Sequence, residues 1–109
     1  MGLHKNKTEF IGNVTMEPEV KYFESGRVKT SFSIAVNEYQ GKDKPEKVTF
    51  IPCEVWAHNA EYVGEYVKKG ALVQVEGALR IEKYKTAEGN DAKRIYIAVQ
   101  DFRLLKNKD

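Results

Sequence analysis

Strict alternation of apolar and polar residues dominates the chain, and it predicts strands. From Val28 to Val36, Thr30, Phe32, Ile34 and Val36 face one way, and Lys29, Ser31, Ser33, Ala35 and Asn37 the other, with Tyr39 continuing the polar parity. A first strand is expected over Glu9 to Val14, with a bulge or bend at Gly12. Val20 to Phe23 reads as a short extended piece, turned at Gly26. A third strand is expected from Val48 to Trp56, a long fourth from Ala71 to Tyr84 with a bend at Gly77, and a fifth from Arg94 to Leu105 after a turn around Glu88-Gly89-Asn90. One segment follows helical spacing instead: Ala60, Val63, Tyr66 and Val67 should lie on the sheet, with Asn59 as N-cap, Lys68 and Lys69 at the negative end and Gly70 as left-handed cap. Gln40 to Lys47 has no apolar residue and reads as a flexible loop.

Three strands, a helix and two more strands predict an all-β chain with one short helix: an OB-fold, the five-stranded Greek-key barrel, with the helix between strands 3 and 4. At 109 residues and 41% hydrophobic content, the chain is expected to fill one core, a single domain over residues 1–109.

Parity assigns the aromatics unexpectedly. In the third strand Ile51, Cys53 and Val55 share one face, while Phe50, Pro52, Glu54 and Trp56 share the other. In the fourth, Val73, Val75, Leu79 and Ile81 oppose Gln74, Glu76, Arg80, Glu82 and Tyr84. Rings thus fall on the charged, solvent side, which suits a platform for stacking nucleobases without reading their sequence.

Net charge is only +2, so its distribution matters more than its total. From Lys68 onward ten Lys and Arg face six Asp and Glu, whereas Glu38 to Val67 carries three against six. Lys68, Lys69, Arg80, Lys83, Lys85, Lys93 and Arg94 interleave this basic excess with Tyr84. Cys53 is the only cysteine and shares parity with Ile51 and Val55, so a small core residue is expected, with neither disulfide nor metal site. His4 and His58 are the only histidines, and no Walker, GxGxxG, HExxH or GxSxG motif occurs. An enzyme is not expected, and no cofactor is. No apolar stretch reaches the roughly 18 residues of a membrane helix, and the start MGLHKNKTEF lacks the apolar core of a signal peptide. No membrane contact and a cytoplasmic location are the expectations.

Phe10-Ile11-Gly12-Asn13 followed by Glu17-Pro18-Glu19-Val20-Lys21-Tyr22, then Phe32-Ser33-Ile34-Ala35-Val36-Asn37, Phe50-Ile51-Pro52-Cys53, Trp56, and Lys68-Lys69-Gly70 with Val75-Glu76-Gly77-Ala78-Leu79-Arg80, resemble the bacterial single-stranded DNA-binding proteins over nearly the whole chain. The resemblance implies sequence-independent binding of single-stranded DNA in replication, recombination and repair. It places stacking residues at Phe50, Trp56 and Tyr84, and a further one near the loop after the second strand, at Tyr39 rather than Gln40. Basic groups for phosphates fall on Lys69, Arg80 and Lys83. It also implies a homo-oligomer, a tetramer, for which an exposed first strand could pair across a two-fold axis. Ile51 and Tyr66 are expected in the core instead. The family's acidic, aromatic-tipped tail has no counterpart in Lys106-Asn107-Lys108-Asp109, so recruitment of partner proteins through a tail is not expected of this chain. An organellar, phage or primosomal origin stays open, as does loss of a tail from a longer protein. An alternative is a scaffold similar to primosomal replication protein N, in which the same rings would form a protein interface.

Overall fold

The computed structural model describes residues 2–108; Asp109, last of the four residues considered for a tail, lies outside the described residues. Seven elements follow one another: β1 (Thr8–Val14), β2 (Glu19–Tyr22), β3 (Val28–Glu38), β4 (Lys47–Trp56), α1 (Ala57–Tyr66), β5 (Leu72–Lys85) and β6 (Asp91–Lys106). They form one sheet in the order β1-β5-β6-β4-β3-β2, which β1 closes by also pairing with β3 at Asn13 and Val14. The five long strands are those expected of the OB-fold. The short extended piece at Val20 becomes β2, laid antiparallel on the start of β3.

Closure depends on two glycines where backbones meet. A Cβ at Gly12 would overlap the carbonyl of Ala35, and one at Gly77 the carbonyl of Ala98. Gly77 also marks a register shift between β5 and β6, so the predicted bend is a site of close approach beside a bulge.

The core gathers the predicted inward residues Phe32, Ile34, Ile51, Cys53, Val55, Val73 and Val75, and Ile97 of β6 is buried with them. From α1, Ala60 and Val63 join them, with Val67 just beyond the helix. The buried Thr30 hydroxyl donates to the carbonyl of Ala60 at 2.7 Å, which ties the helix to β3.

The helix departs from expectation at both ends. It begins at Ala57, which has φ of 60°, after an extended Trp56 that offers no side-chain cap. Asn59 therefore lies inside the first turn instead of capping it, because the chain turns two residues earlier. At the other end the helix stops at Tyr66, leaving Lys68 and Lys69 in the connection; Gly70 is left-handed, with φ of 91°, but stands beyond the helix. Asn107 serves that end instead: its amide donates to the Tyr66 carbonyl at 2.7 Å, and its Oδ1 accepts the Lys68 N–H at 3.3 Å.

Tyr66 is 51% exposed and not a core residue. At about 100° per residue, Ala60, Val63 and Val67 define a narrow stripe that leaves Tyr66 on its flank. Its ring lies 5.1 Å from that of Tyr62. Leu79 and Ile81 are likewise exposed, with Ile95 beside them, where β5 and β6 continue beyond the barrel as a two-stranded ribbon. Among the described residues, no helix is long and apolar enough to cross a membrane.

Candidate nucleic-acid interface

Strand register assembles one outer face. Ala35 pairs with Phe50, Ser33 with Pro52, Ser31 with Glu54 and Lys29 with Trp56; Glu54 in turn neighbours Ala98 on β6. Across β6 and β5 the face continues through Tyr96 opposite Arg80, Arg94 opposite Glu82 and Ala92 opposite Tyr84. Alternation therefore brings Phe50, Trp56, Arg80 and Tyr84 to a common surface. Phe50 is 66% exposed and Tyr84 52%, so both rings are presented to solvent.

Tyr39 follows β3 at the root of the loop predicted as flexible and is 77% exposed. Within that loop the Gln40 side chain donates to the Pro45 carbonyl at 3.1 Å. Lys83 behaves differently from Arg80. It pairs with Lys93, one residue out of step with Tyr84, and so belongs to the opposite side of the ribbon. Lys69 lies between α1 and β5, at the other end of β5 from Tyr84, where its N–H donates to Glu17 Oε1 at 3.1 Å.

Trp56 is half-buried, for reasons parity could not reveal. Its ring stacks on Phe23, with centroids 5.5 Å apart and planes 23° apart. The Arg27 guanidinium lies 4.2 Å from its centroid, and Lys29 Nζ 5.8 Å. Lys21 Nζ in turn sits 5.0 Å from the Phe23 ring. Cations around an indole are attracted by its quadrupole and leave this corner positive. Sequence reasoning missed Phe23 and Arg27; they flank the Gly26 turn and are joined by Phe23 N–H to the Arg27 carbonyl at 2.8 Å.

Glu54, placed by parity among solvent-side residues, is only 5% exposed. Arg94 and Lys29 cover it: Nη1 of Arg94 donates to Oε2, as does Lys29 Nζ at 3.5 Å. The second arm of Arg94 donates to Glu82 Oε1 at 2.7 Å, and the Tyr96 hydroxyl to Glu82 Oε2 at 2.6 Å. Donation by Tyr96, then by Arg94, holds the Glu82 carboxyl below the usual range. The same bond to Glu82 raises the Tyr96 phenol, while the carboxylates of Glu82 and Glu54 raise Arg94. Two acids and two bases thus neutralise one another in the middle of the face.

Cys53 is buried, as its parity predicted, and burial pushes its thiol up to about 12. Among the described residues no group of three or more His, Cys, Asp or Glu could hold a metal ion. What the face offers is flat rings and positive charge.

Comparison with known proteins places nearly the whole chain in one family. The model of the single-strand binding protein family matches residues 5–105. The chain is 36% identical over 104 residues to a single-stranded DNA-binding protein 1 of Synechocystis, covering 94% of this chain and 85% of that one. It is 36% identical over 107 residues to single-stranded DNA-binding protein 3 of Listeria innocua, covering 94% of this chain and 65% of the other. Among solved structures, the Plasmodium falciparum SSB complex with ssDNA superposes with a TM-score of 0.87 at 26% identity, over 97% of this chain and 99% of that chain.

Proposed function

Because the chain belongs to the single-strand binding protein family, we propose that it binds single-stranded DNA independently of sequence, in DNA replication, recombination and repair. The observation that carries this reading is the outer face on which Phe50, Trp56 and Tyr84 stand among Lys29, Arg27 and Arg80. Stacking on such rings tolerates any base, and the cations neutralise phosphates.

Phe50, Trp56, Tyr84 and, at the loop root, Tyr39 are the stacking residues. Arg80 meets phosphates on the stacking face. Lys83 at the ribbon and Lys69 beyond α1 meet them where the strand runs over the edges. Binding involves no chemical step, and the setting is the bacterial cytoplasm.

The assembly is a homo-oligomer, a tetramer. β1 supports this: it pairs with β5 from Thr8 to Asn13 but with β3 only at Asn13 and Val14, so its second edge has no partner over most of its length among the described residues. An open edge is a template for a second copy of the same strand. Sedimentation velocity would report the state, and a monomer at micromolar concentration would refute the assembly.

Titration with unlabelled poly-dT tests the binding itself. Trp56 fluorescence should be quenched by the single strand and respond little to duplex DNA. Equal responses to both, or none, would refute the reading.

A further inference from the structure

Arg94 occupies a position where a cation would ordinarily serve phosphate, yet its charge is already engaged. One arm donates to the nearly buried Glu54 and the other to Glu82. Turning to a phosphate would leave Glu54 with Lys29 alone, at 3.5 Å, and a buried carboxylate that loses a partner is costly. Its plane remains available. The guanidinium carbon lies 4.2 Å from the Tyr96 ring centroid, and the side chain is 45% exposed.

Placement adds a second argument. Tyr84 opposes Ala92, and Arg94 is the next residue of β6 on that same face, so along β6 only the small Ala92 marks the step from the register position of Tyr84 to Arg94. Toward the barrel, Glu54 links Arg94 to Lys29, which lies beside Trp56. Arg94 and Tyr96 also line an open cleft of about 290 Å³ together with Pro52 and Glu54. The guanidinium therefore stands between two aromatic stations, in a gap that contains no other exposed ring on the outer positions of β5 and β6.

We propose that the Arg94 guanidinium is itself a stacking surface for a base of bound single-stranded DNA, held over the Tyr96 ring by Glu82 and Glu54, which act as positioning residues. Guanidinium planes stack on bases and aromatic faces, and the rigid fork of donors fits two carboxylates at once. The carboxylates, which alone would repel phosphate, fix a plane here and are neutralised in doing so. This rests on the single-strand reading above.

The test compares wild type, Arg94→Lys and Glu82→Gln on two strands of equal length, oligo-dT and a fully abasic strand that keeps the phosphates. Arg94→Lys preserves the charge beside Glu54 and removes the plane, so the fold should survive, which circular dichroism checks. It should bind oligo-dT roughly 5- to 150-fold more weakly, the equivalent of one base stack, and the abasic strand as wild type does. At high salt, where simple charge effects are screened, Glu82→Gln should also weaken oligo-dT binding and spare the abasic strand, although it removes a negative charge. Equal losses on both strands, no loss for Arg94→Lys, or tighter oligo-dT binding by Glu82→Gln at high salt would each overturn the stacking role. Failure of wild type to bind oligo-dT would instead overturn the single-strand reading.

Discussion

Phe23 and Trp56 stack, with centroids 5.5 Å apart, although 33 positions separate them in the chain. Phe23 follows directly on the short β2 and Trp56 ends β4, so the contact spans two strand pairings through β3. It positions the indole before any DNA arrives. The two rings should accordingly be coupled in stability: a double-mutant cycle of Phe23→Ala and Trp56→Ala by urea denaturation should give about 0.5–1.5 kcal/mol, the worth of an aromatic pair beyond its buried area. Strict additivity would mean the rings merely adjoin. Trp56→Ala should also keep the fold while weakening single-strand binding by about 1–3 kcal/mol.

Phe50 presents the opposite balance. At 66% exposed it contributes little to the core, and its partner across the ladder is the small Ala35. Phe50→Ala should shift stability by no more than about 0.5 kcal/mol yet cost about 1–3 kcal/mol of binding to oligo-dT. Thermal melts and fluorescence titration together check this. A large loss of stability would show that Phe50 packs rather than stacks.

Much of this surface was legible because a strand alternates: the outward placement of Phe50, Trp56 and Tyr84 follows from a period of two alone. So does the burial of Cys53, Val55 and Val73. What could not be read is what depends on register and on where the barrel ends. Lys83 and Tyr84 are neighbours in sequence on opposite sides of the ribbon, and the inward parity of Leu79 and Ile81 carries no burial once β5 leaves the barrel. The Glu54–Arg94–Glu82 bridge joins Arg94 to residues 40 and 12 positions away, and its Glu54 arm crosses a parallel β4–β6 pairing that periodicity does not specify. The alternation of Arg94 and Tyr96 against Ile95 and Ile97 was the available signal, and it needed that pairing to acquire meaning. The Asn59 cap failed for a local reason: Ala57 takes the left-handed turn and starts the helix early.

The two sides of the ribbon should respond differently to removal of a cation. Arg80 lies on the face of Tyr84 and Tyr96, while Lys83 faces away beside Lys93. A cation that neutralises one phosphate contributes roughly 0.7 to the slope of log affinity against log salt for a single strand, and its removal should lower the slope by that amount. Arg80→Ala should show that reduction on a short oligonucleotide confined to the outer face. Lys83→Ala should show it only on longer strands that wrap the ribbon. Affinities measured over a salt series, on oligo-dT of both lengths, check the pair. An unchanged slope for Arg80→Ala would leave that charge merely solvated.

Cys53 gives a pH dependence with a definite sign. Its side chain is buried in the core, its Sγ lies 3.6 Å from the Ile51 carbonyl, and desolvation raises the thiol from an ordinary value near 9 to about 12. In the unfolded chain the thiol ionises first, so above that ordinary value the unfolded state holds fewer protons than the native state. Native stability must then fall with rising pH; the contribution of the neutral thiol is complete below about 9 and is lost on the way to 12. Other groups titrate in the same window, so the comparison is between wild type and Cys53→Ala, which share all of them. The stability difference between the two, from urea denaturation at about pH 8 and about pH 10.5, should move in favour of Cys53→Ala at the higher value. A thiol reagent should label native Cys53 slowly and unfolded Cys53 rapidly, because only the thiolate reacts. A difference independent of pH, or fast labelling of the native protein, would place Cys53 at the surface instead.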